Sequence, residues 1–430
     1  MKSIFTTLLI CAVTHAFAQI PSPGAMPEKA IVLTGAVAHI GNGEVMENAA
    51  IGIENGKITF VKPTGAVKLN PEEADIIDVT GKHVYPGFIS PNNTLGITEV
   101  DAVRASRDYS ETGLFKPEVR SLTAFNTDSR ISPTVRSNGV LITQATPRSG
   151  RICGTSSVMH LDGWNWEDAV LREDDGIHIN WPNRFQRTGW WAEPGPTKGN
   201  KKYAEQVDAL RAFLQRAKAY AETASEFNQK MEACKGLFDG SQNLYLHVND
   251  AKGIMESVLF AEEVGAKKPV VVGASESWLV VDFLSSKKIP VILGRTHSLP
   301  ENDDDDIDQP FKTAKVLHDN KVPFCLDYAG DMEAMGSRNL PFAAGTAVAH
   351  GLPYEEAIRA LTSSAAKILG FDDLCGTLES GKQATLFVSS GDALDMMTND
   401  VTHAFIQGRP VDLDNPQKYL YRKYKKDATN

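Results

Sequence analysis

Short apolar runs alternate with longer amphipathic stretches through the middle of the chain. The apolar runs lie at residues 138–146, 156–163, 243–250, 268–275, 289–296 and 322–330. Uniformly apolar runs of this length are typical of strands that are buried on both faces of a parallel sheet. Residues 201–234 place Ala, Leu and Phe at helical spacing, and shorter helical stretches separate the later runs. Repeated strand–helix units of this kind predict an α/β barrel over residues 86–375.

Both ends of the mature chain show a different, strand-like pattern. Residues 30–63 are rich in β-branched side chains, and Asn55-Gly56 between two alternating segments predicts a two-residue hairpin turn. The same kind of pattern returns near the carboxyl terminus. Neither end is long enough to bury a core by itself. We therefore predict a small composite β-sandwich that is built from residues 28–85 and 376–413.

The first 18 residues have the pattern of a signal peptide. Lys2 precedes an apolar run from Ile4 to Val13, and small residues follow at Ala16 and Ala18. The pattern predicts cleavage after Ala18 and export to the periplasm or beyond; the alternative is a buried first helix. The apolar run is too short for a stable membrane anchor, and no later segment predicts a membrane span.

Charge and cysteine content narrow the class of partner and the redox chemistry. The chain carries a formal net charge of −10, which disfavours nucleic acid and anionic membranes as partners. A small-molecule substrate or ligand is the expected partner. Export permits disulfides, but no cysteine pair has CxxC spacing. We predict buried thiols, with one disulfide as the alternative, at Cys153, Cys234, Cys325 and Cys375.

Four longer motifs occur in a recognisable order along the chain. They are IENGKITFV (53–61), IIDVTGKHVYPGFI (76–89), AVAHGLPYEEAIRALTSSAAKILGF (347–371) and GTLESGKQATLFV (376–388). With these motifs the chain resembles the amidohydrolase superfamily, in particular imidazolonepropionase-like and other cyclic-amide hydrolases, from about residue 30 to residue 413. The resemblance implies a TIM-like (β/α)8 barrel and a hydrolase that acts on carbon–nitrogen bonds other than peptide bonds. It also implies one divalent metal, zinc, iron or manganese, that activates a water molecule.

The resemblance carries over only part of the expected ligand set. A His-x-His pair should end the first barrel strand, but this chain has Pro91-Asn92-Asn93 there. The resemblance implies His247 and Asp327 as metal ligands. It also implies a catalytic carboxylate after the last barrel strand, for which Asp327 and Asp331 compete. Asp327 is the sharper candidate, because a carboxylate within an apolar strand needs a partner.

Other polar residues near the strand ends are candidates for a substrate pocket. They are Asn92, Asn93, Asn249, Ser275 and His297. Ser275 is equally a candidate N-cap for a helix that begins at Glu276, and His297 is equally a surface residue. Gly273 stands where many relatives carry a further histidine. The three tryptophans of residues 148–183 are expected either to shape the pocket or to pack a lid onto the barrel.

These observations leave several functional hypotheses open. The first is an exported, metal-dependent amidohydrolase with a reduced ligand set. The second is a catalytically inactive pseudoenzyme without metal, which serves as a binding module or as a noncatalytic subunit. A homodimer, or pairing with an active homologue, fits either hypothesis. The third is metal-independent hydrolysis by Asp327 and His247, which requires the two side chains to lie within hydrogen-bond distance.

Overall fold

The computed structural model describes residues 23–186, 188–190, 192–223 and 226–425. The predicted signal peptide lies outside these residues. No helix in this part of the chain is long and apolar enough to cross a membrane. The described strands are β1 (Ala30–His39), β2 (Val45–Glu54), β3 (Lys57–Pro63), β4 (Ala74–Asp78), β5 (His83–Pro86), β6 (Phe88–Asn93), β7 (Val140–Ala145), β8 (Ile152–His160), β9 (Val170–Asn180), β10 (Phe185–Gln186), β11 (Gly189–Trp190), β12 (Glu193–Pro194), β13 (Lys198–Gly199), β14 (Asn243–Val248), β15 (Pro269–Gly273), β16 (Val291–Leu293), β17 (Phe324–Leu326), β18 (Leu386–Ser389), β19 (Val401–Ile406) and β20 (Arg409–Pro410).

Most of the described helices follow barrel strands or pack around them. They are α1 (Ser132–Arg136), α2 (Trp166–Ala169), α3 (Tyr203–Thr223), α4 (Gln229–Glu232), α5 (Gly236–Asp239), α6 (Ala251–Val264), α7 (Val281–Lys287), α8 (Gln309–Asp319), α9 (Glu333–Gly336), α10 (Leu340–Ala349), α11 (Tyr354–Leu361), α12 (Ser363–Leu369) and α13 (Pro416–Lys425). Short 3-10 turns lie at Thr64–Ala66, Arg104–Ser106, Ser121–Ala124, Ser277–Leu279 and Ser337–Asn339.

Eight strands form a nearly closed barrel sheet in the order β17-β16-β15-β14-β9-β8-β7-β6. The prediction of an α/β barrel is confirmed at this level. Strand β8, however, runs antiparallel to both of its neighbours, β7 and β9. The reason is the short connection on each side, residues 146–151 and 161–169. A parallel neighbour needs a crossover of about a dozen residues or more, so these short links can only reverse the chain.

The barrel buries two faces of apolar side chains. An inner cluster joins residues of seven barrel strands with α12, and its members include Ile89, Val158, Tyr245 and Phe371. The main cluster lies between the strands and the surrounding helices. In α6, Asp250 accepts a hydrogen bond from the Gly253 backbone N–H as N-cap, and seven residues of the helix are buried. The amphipathic pattern therefore holds this helix against the sheet.

Strands from both chain ends share a second eight-stranded sheet. Its order is β20-β19-β18-β5-β1-β2-β3, and β4 pairs with β1 off this path. The predicted hairpin joins β2 to β3, where Asn55 and Gly56 have φ values of 51° and 79°. Two successive positive φ values are the geometry of a type I′ turn. The arrangement of these strands as a sandwich with bounds at 28–85 and 376–413 stays a prediction.

The segment from residue 148 to residue 183 is part of the barrel wall and not a lid. It contains β8, α2 and β9. Trp181 is buried and packs against Phe260 with ring centroids 5.2 Å apart, whereas Trp164 is 67% exposed. The expectation that its tryptophans form a pocket or a lid is therefore wrong.

The cysteine prediction is confirmed in the described part of the chain. All four thiols there are buried and free. The alternative of one disulfide among them is not realised.

Candidate functional site

A cavity of about 1190 Å³ opens at the carboxyl ends of the parallel barrel strands. This end of an α/β barrel is where such folds place their functional sites. The strand ends contribute Asn92 from β6, Gly273 from β15 and Leu293 from β16. His247 of β14 and Asp327, directly after β17, line the same cavity. The two residues that the resemblance implies as metal ligands are thus brought to one site.

Asn92 connects a cation to a carboxyl group at the end of the first barrel strand. Its side-chain Nδ2 donates to Asp327 Oδ2 over 2.8 Å. Arg148 donates to Asn92 Oδ1 and to the Asn92 backbone oxygen, each over 2.6 Å. Asn92 has a φ of 47°, a left-handed conformation that asparagine tolerates better than most residues. Both carbonyl oxygens of Asn92 are therefore occupied by a guanidinium group.

A carboxylate holds the other side of the Arg148 guanidinium. Arg148 Nε donates to Glu333 Oε1 over 2.9 Å, and Nη2 lies 2.8 Å from the same oxygen. Glu333 Oε2 accepts a hydrogen bond from the Gly330 backbone N–H over 2.9 Å. Arg148 comes from the β7–β8 connection and Glu333 from the start of α9. Because the planar guanidinium is bound on two edges, its position beside Asn92 is fixed.

Asp327 is buried beneath the cavity and is only 1% exposed. Its Oδ1 accepts a hydrogen bond from the Ala329 backbone N–H over 3.1 Å. Burial raises the pKa of Asp327 to about 7, although the hydrogen bonds from Asn92 and Ala329 and the charge of Arg148 oppose this shift. The carboxyl group therefore keeps its proton to a much higher pH than an exposed aspartate does.

His247 leads from the cavity into a buried polar network inside the barrel. Its Nε2 lies 2.8 Å from His178 Nδ1, and His178 Nε2 lies 2.8 Å from Ser156 Oγ. Ser156 donates to Asp175 Oδ1 over 2.7 Å. Burial lowers the pKa of His247 to about 3 and lowers the pKa of His178 well below its usual value. Burial also raises the pKa of Asp175. Both imidazoles are neutral at neutral pH.

Residues 207–411 match the amidohydrolase family. Over this region, just under half of its 430 residues, the chain is similar to the amidohydrolase family. Among solved structures, an amidohydrolase from Thermotoga maritima is 22% identical, with a TM-score of 0.76 over 89% of this chain and 99% of that one. Ochratoxinase from A. niger is 17% identical, with a TM-score of 0.51 over 90% of this chain and 99% of that one. Molinate hydrolase is 16% identical, with a TM-score of 0.56 over 91% of this chain and 96% of that one. At these identities the likeness shows a shared fold. The comparison with curated proteins gave no match.

The amidohydrolase family generally binds a divalent metal, and the donor groups of this chain do not fit such a site. Pro91 offers no ligand, and the oxygens of Asn92 face the Arg148 guanidinium. Gly273 has a φ of 89°, and a Cβ there would lie 2.5 Å from Asn249 Oδ1. A histidine at that position therefore needs a rearranged backbone. In the described ranges, no group of three His, Cys, Asp or Glu residues is placed to hold a metal.

The structure also separates the predicted pocket residues. Asn249 and Ser275 line the cavity. The N-cap alternative for Ser275 is wrong, because the following turn begins at Ser277 without a side-chain cap and Ser275 Oγ has no hydrogen-bond partner in the described part. Asn93 is fully buried and fixes the local backbone, since its Oδ1 accepts the Leu95 N–H over 3.0 Å.

Two further candidates lie away from the main cavity. His297 is exposed, and its Nε2 lies 2.7 Å from Thr346 Oγ1 on α10. It is a surface residue, which was the alternative to a pocket role. Asp331 is exposed in the loop after β17 and lines a smaller adjoining cavity of about 440 Å³ with Arg148 and Glu333. Of the two competing aspartates, Asp327 is the one that reaches the main cavity.

Several residues of this site are absent from the predicted set. They are Gln144, Arg148, Ser156, Asp175, His178 and Glu333. Asp175 and His178 lie in residues 148–183, where only the three tryptophans were predicted to have a role. The signal that could have found them is the alternation in GIHIN (176–180), which is typical of a strand.

Proposed function

We propose that this amidohydrolase-family protein binds a small molecule in the barrel cavity and has lost the metal-dependent hydrolysis that the family implies. The observation that supports this proposal is the Asn92 bridge between Arg148 and Asp327. A metal at this strand end would meet a guanidinium cation whose charge repels it. The Arg148 guanidinium also already binds the two Asn92 oxygen atoms that a metal would need as ligands.

Binding is supported by the form and the chemistry of the cavity. Its volume of about 1190 Å³ exceeds the range of about 300–1,000 Å³ that is usual for ligand sites, so a small molecule fits within it. His247, Asn249 and Ser275 present polar groups at its lining. Ser275 Oγ is buried without a partner in the described residues. Such a group costs free energy unless a ligand or water satisfies it.

A second candidate function is hydrolysis of a carbon–nitrogen bond other than a peptide bond, in a small cyclic-amide-type compound. It needs one zinc, iron or manganese ion at His247 and Asp327. The observation that favours it is the presence of both side chains on one cavity. The metal-independent version has less support, because no hydrogen bond joins Asp327 to His247 among the described residues: Asp327 binds Asn92 and Ala329, and His247 binds His178.

Metal content separates the two candidates. The purified mature protein is incubated with zinc, manganese and iron, freed of excess metal and analysed by plasma mass spectrometry. We expect far less than one metal per folded chain, both for the native sequence and for His247→Ala. Near-stoichiometric metal that His247→Ala abolishes would overturn the proposal and favour the hydrolase. Asn249→Ala is the matched control, because Asn249 lines the same cavity and is outside the implied ligand set.

Export and assembly are part of the same proposal. The pattern of residues 1–18 supports export with cleavage near Ala18, and amino-terminal sequencing of the mature protein tests it. A homodimer, or a complex with an active homologue as a noncatalytic subunit, is tested by light scattering of the purified protein alone and after mixing with that homologue.

A further inference from the structure

Two backbone groups fix the direction of the hydrogen bonds in the buried network behind His247. The Asn92 backbone N–H donates to Gln144 over 2.9 Å. Only the amide oxygen of Gln144 can accept this bond, so its Nε2 must face Asp175 Oδ2, 2.7 Å away. The orientation of the Gln144 amide is therefore settled by the main chain.

The second backbone group is the carbonyl of Ile368, which accepts a hydrogen bond from Asn243 Nδ2 over 2.9 Å. The same Nδ2 donates to the Tyr245 hydroxyl oxygen over 2.8 Å. Tyr245 must then direct its own hydrogen to Asp175 Oδ2, its partner at 2.5 Å. Two donors thus point at one oxygen of a fully buried carboxylate.

The other oxygen of Asp175 determines the state of Ser156. The hydrogen bonds from Tyr245, Ser156 and Gln144 oppose the effect of burial on the pKa of Asp175 and favour its ionised form. The Ser156 hydroxyl lies 2.7 Å from Asp175 Oδ1 and 3.3 Å from the Gly176 carbonyl, so the ionised carboxylate receives its hydrogen. Ser156 Oγ must therefore accept from His178 Nε2, which lies 2.8 Å away. The reverse arrangement would take the hydroxyl hydrogen from a buried carboxylate, and such a loss is costly.

The direction of the Ser156–His178 hydrogen bond then determines the tautomer of His247 at the cavity. With Nε2 protonated, the neutral His178 has a lone pair on Nδ1, and His247 Nε2 must donate to it over 2.8 Å. The proton of the neutral His247 is thereby placed on Nε2. Its Nδ1 makes no hydrogen bond to the described residues, and His247 lines both cavities.

We infer that Asp175, acting through Ser156 and His178, holds His247 in the tautomer whose unprotonated Nδ1 accepts a hydrogen bond from the ligand. Asp175 is a positioning residue in this arrangement. The cavity takes a compound that donates an N–H or O–H group at this point and discriminates against one that presents an acceptor. The ligand part of the inference rests on the proposed function, whereas the tautomer does not.

An isosteric substitution reverses the three hydrogen bonds that join Asp175 to His247 through Ser156 and His178. In Asp175→Asn, the new amide oxygen accepts from Gln144 and Tyr245, and the new amide N–H₂ donates to Ser156. Ser156 then donates to His178 Nε2, His178 Nδ1–H donates to His247, and His247 carries its proton on Nδ1. A change of one atom at Asp175 therefore converts the acceptor in the cavity into a donor.

Nitrogen-15 NMR of histidine-labelled mature protein reads this tautomer directly, with His247→Gln identifying the resonances. We expect His247 Nδ1 to be unprotonated in the native sequence and protonated in Asp175→Asn. Tyr245→Phe, which removes one donor without changing the charge of Asp175, leaves the native tautomer. Adding Ser156→Ala to Asp175→Asn interrupts the relay and abolishes the reversal. A protonated Nδ1 in the native sequence overturns the inference even if no variant folds.

Two probes test the ligand part in the same spectra. Propionamide donates N–H groups, whereas N,N-dimethylpropionamide does not. We expect only propionamide to shift the His247 Nδ1 resonance in the native protein, and this selectivity to be lost in Asp175→Asn. An equal response to both probes, or a response to neither, overturns the ligand part and leaves the tautomer measurement standing. Failure of the proposed function would instead show as bound metal.

Discussion

Asp327 predicts a pH-dependent stability that one substitution removes. Its pKa is raised from 3.8 to about 7 in the folded protein, so folding takes up a proton. The stabilisation from the protonated group is fully present below pH 4 and is lost as the pH rises through 7. A difference of about 3 pH units corresponds to about 4 kcal/mol in the free energy of unfolding.

Asp327→Asn keeps the volume of the side chain and cannot ionise. In this variant the new amide N–H₂ group faces either Asn92 Nδ2 or the Ala329 backbone N–H, and both of these are donors. One hydrogen bond is therefore lost, and the substitution should lower the free energy of unfolding by about 1–3 kcal/mol at low pH. Above pH 7 this variant should become as stable as the native sequence or more stable.

Urea unfolding of the two proteins between pH 4 and pH 8 measures the effect. The native free energy of unfolding, minus that of Asp327→Asn, should fall by about 4 kcal/mol across this range. Asp331→Asn is the control, because Asp331 is exposed, and its difference from the native protein should stay constant. Parallel stability curves for the native protein and Asp327→Asn would refute the reasoning, since they would show that Asp327 does not change its protonation on folding.

Three further predictions concern the site and the core. Arg148→Met leaves Glu333 without its cation and should lower the free energy of unfolding, measured in urea, by about 3 kcal/mol. The control Arg120→Met breaks the more exposed pairs with Glu173 and Asp174 and should lower it by less than about 1 kcal/mol. Equal losses in the two variants would contradict the assigned role of Arg148. Gly273→Ala places a Cβ 2.5 Å from Asn249 Oδ1 at a φ of 89° and should cost about 1–3 kcal/mol, whereas Gly65→Ala, with nothing within 4 Å of the added Cβ, should lie within about 0.5 kcal/mol of the native protein. Burial raises the pKa of Cys153 to about 11 and that of Cys234 and Cys375 to about 12, so the thiols of the folded mature protein should resist a thiol-specific colorimetric reagent at pH 8 and react only in denaturant; rapid labelling of the native protein would show that they are accessible.

The sequence pattern predicted the barrel because buried strands and amphipathic helices leave a periodic signal. It did not predict the direction of β8, since an apolar run reads the same in either direction. The length of the connection between β7 and β8, six residues from 146 to 151, was the available clue, because a parallel crossover does not fit into it.

The sequence also predicted some residues of the site and missed others. His247 and Asp327 were found because the family resemblance implies ligands at these strand ends, and the apolar run around Asp327 made its carboxylate the sharper of the two aspartate candidates. Arg148 and Glu333 were missed because they lie in connections, where charged residues are ordinary and solvated. Their role depends on which two loops meet above Asn92, and single-sequence patterns carry no information on such a meeting.

The sheet shared by both chain ends imposes an order on folding. Strand β5 pairs with β18, so Pro86 can reach its register partner Leu386 only after about 300 further residues of the chain have been made. Pairing at such sequence separation closes slowly, because a long loop must be ordered before the contact forms. Until then the edge of β5 is open and can pair with another chain. A chain that ends before β18 keeps this edge permanently, and we expect it to aggregate even though its barrel strands are all present.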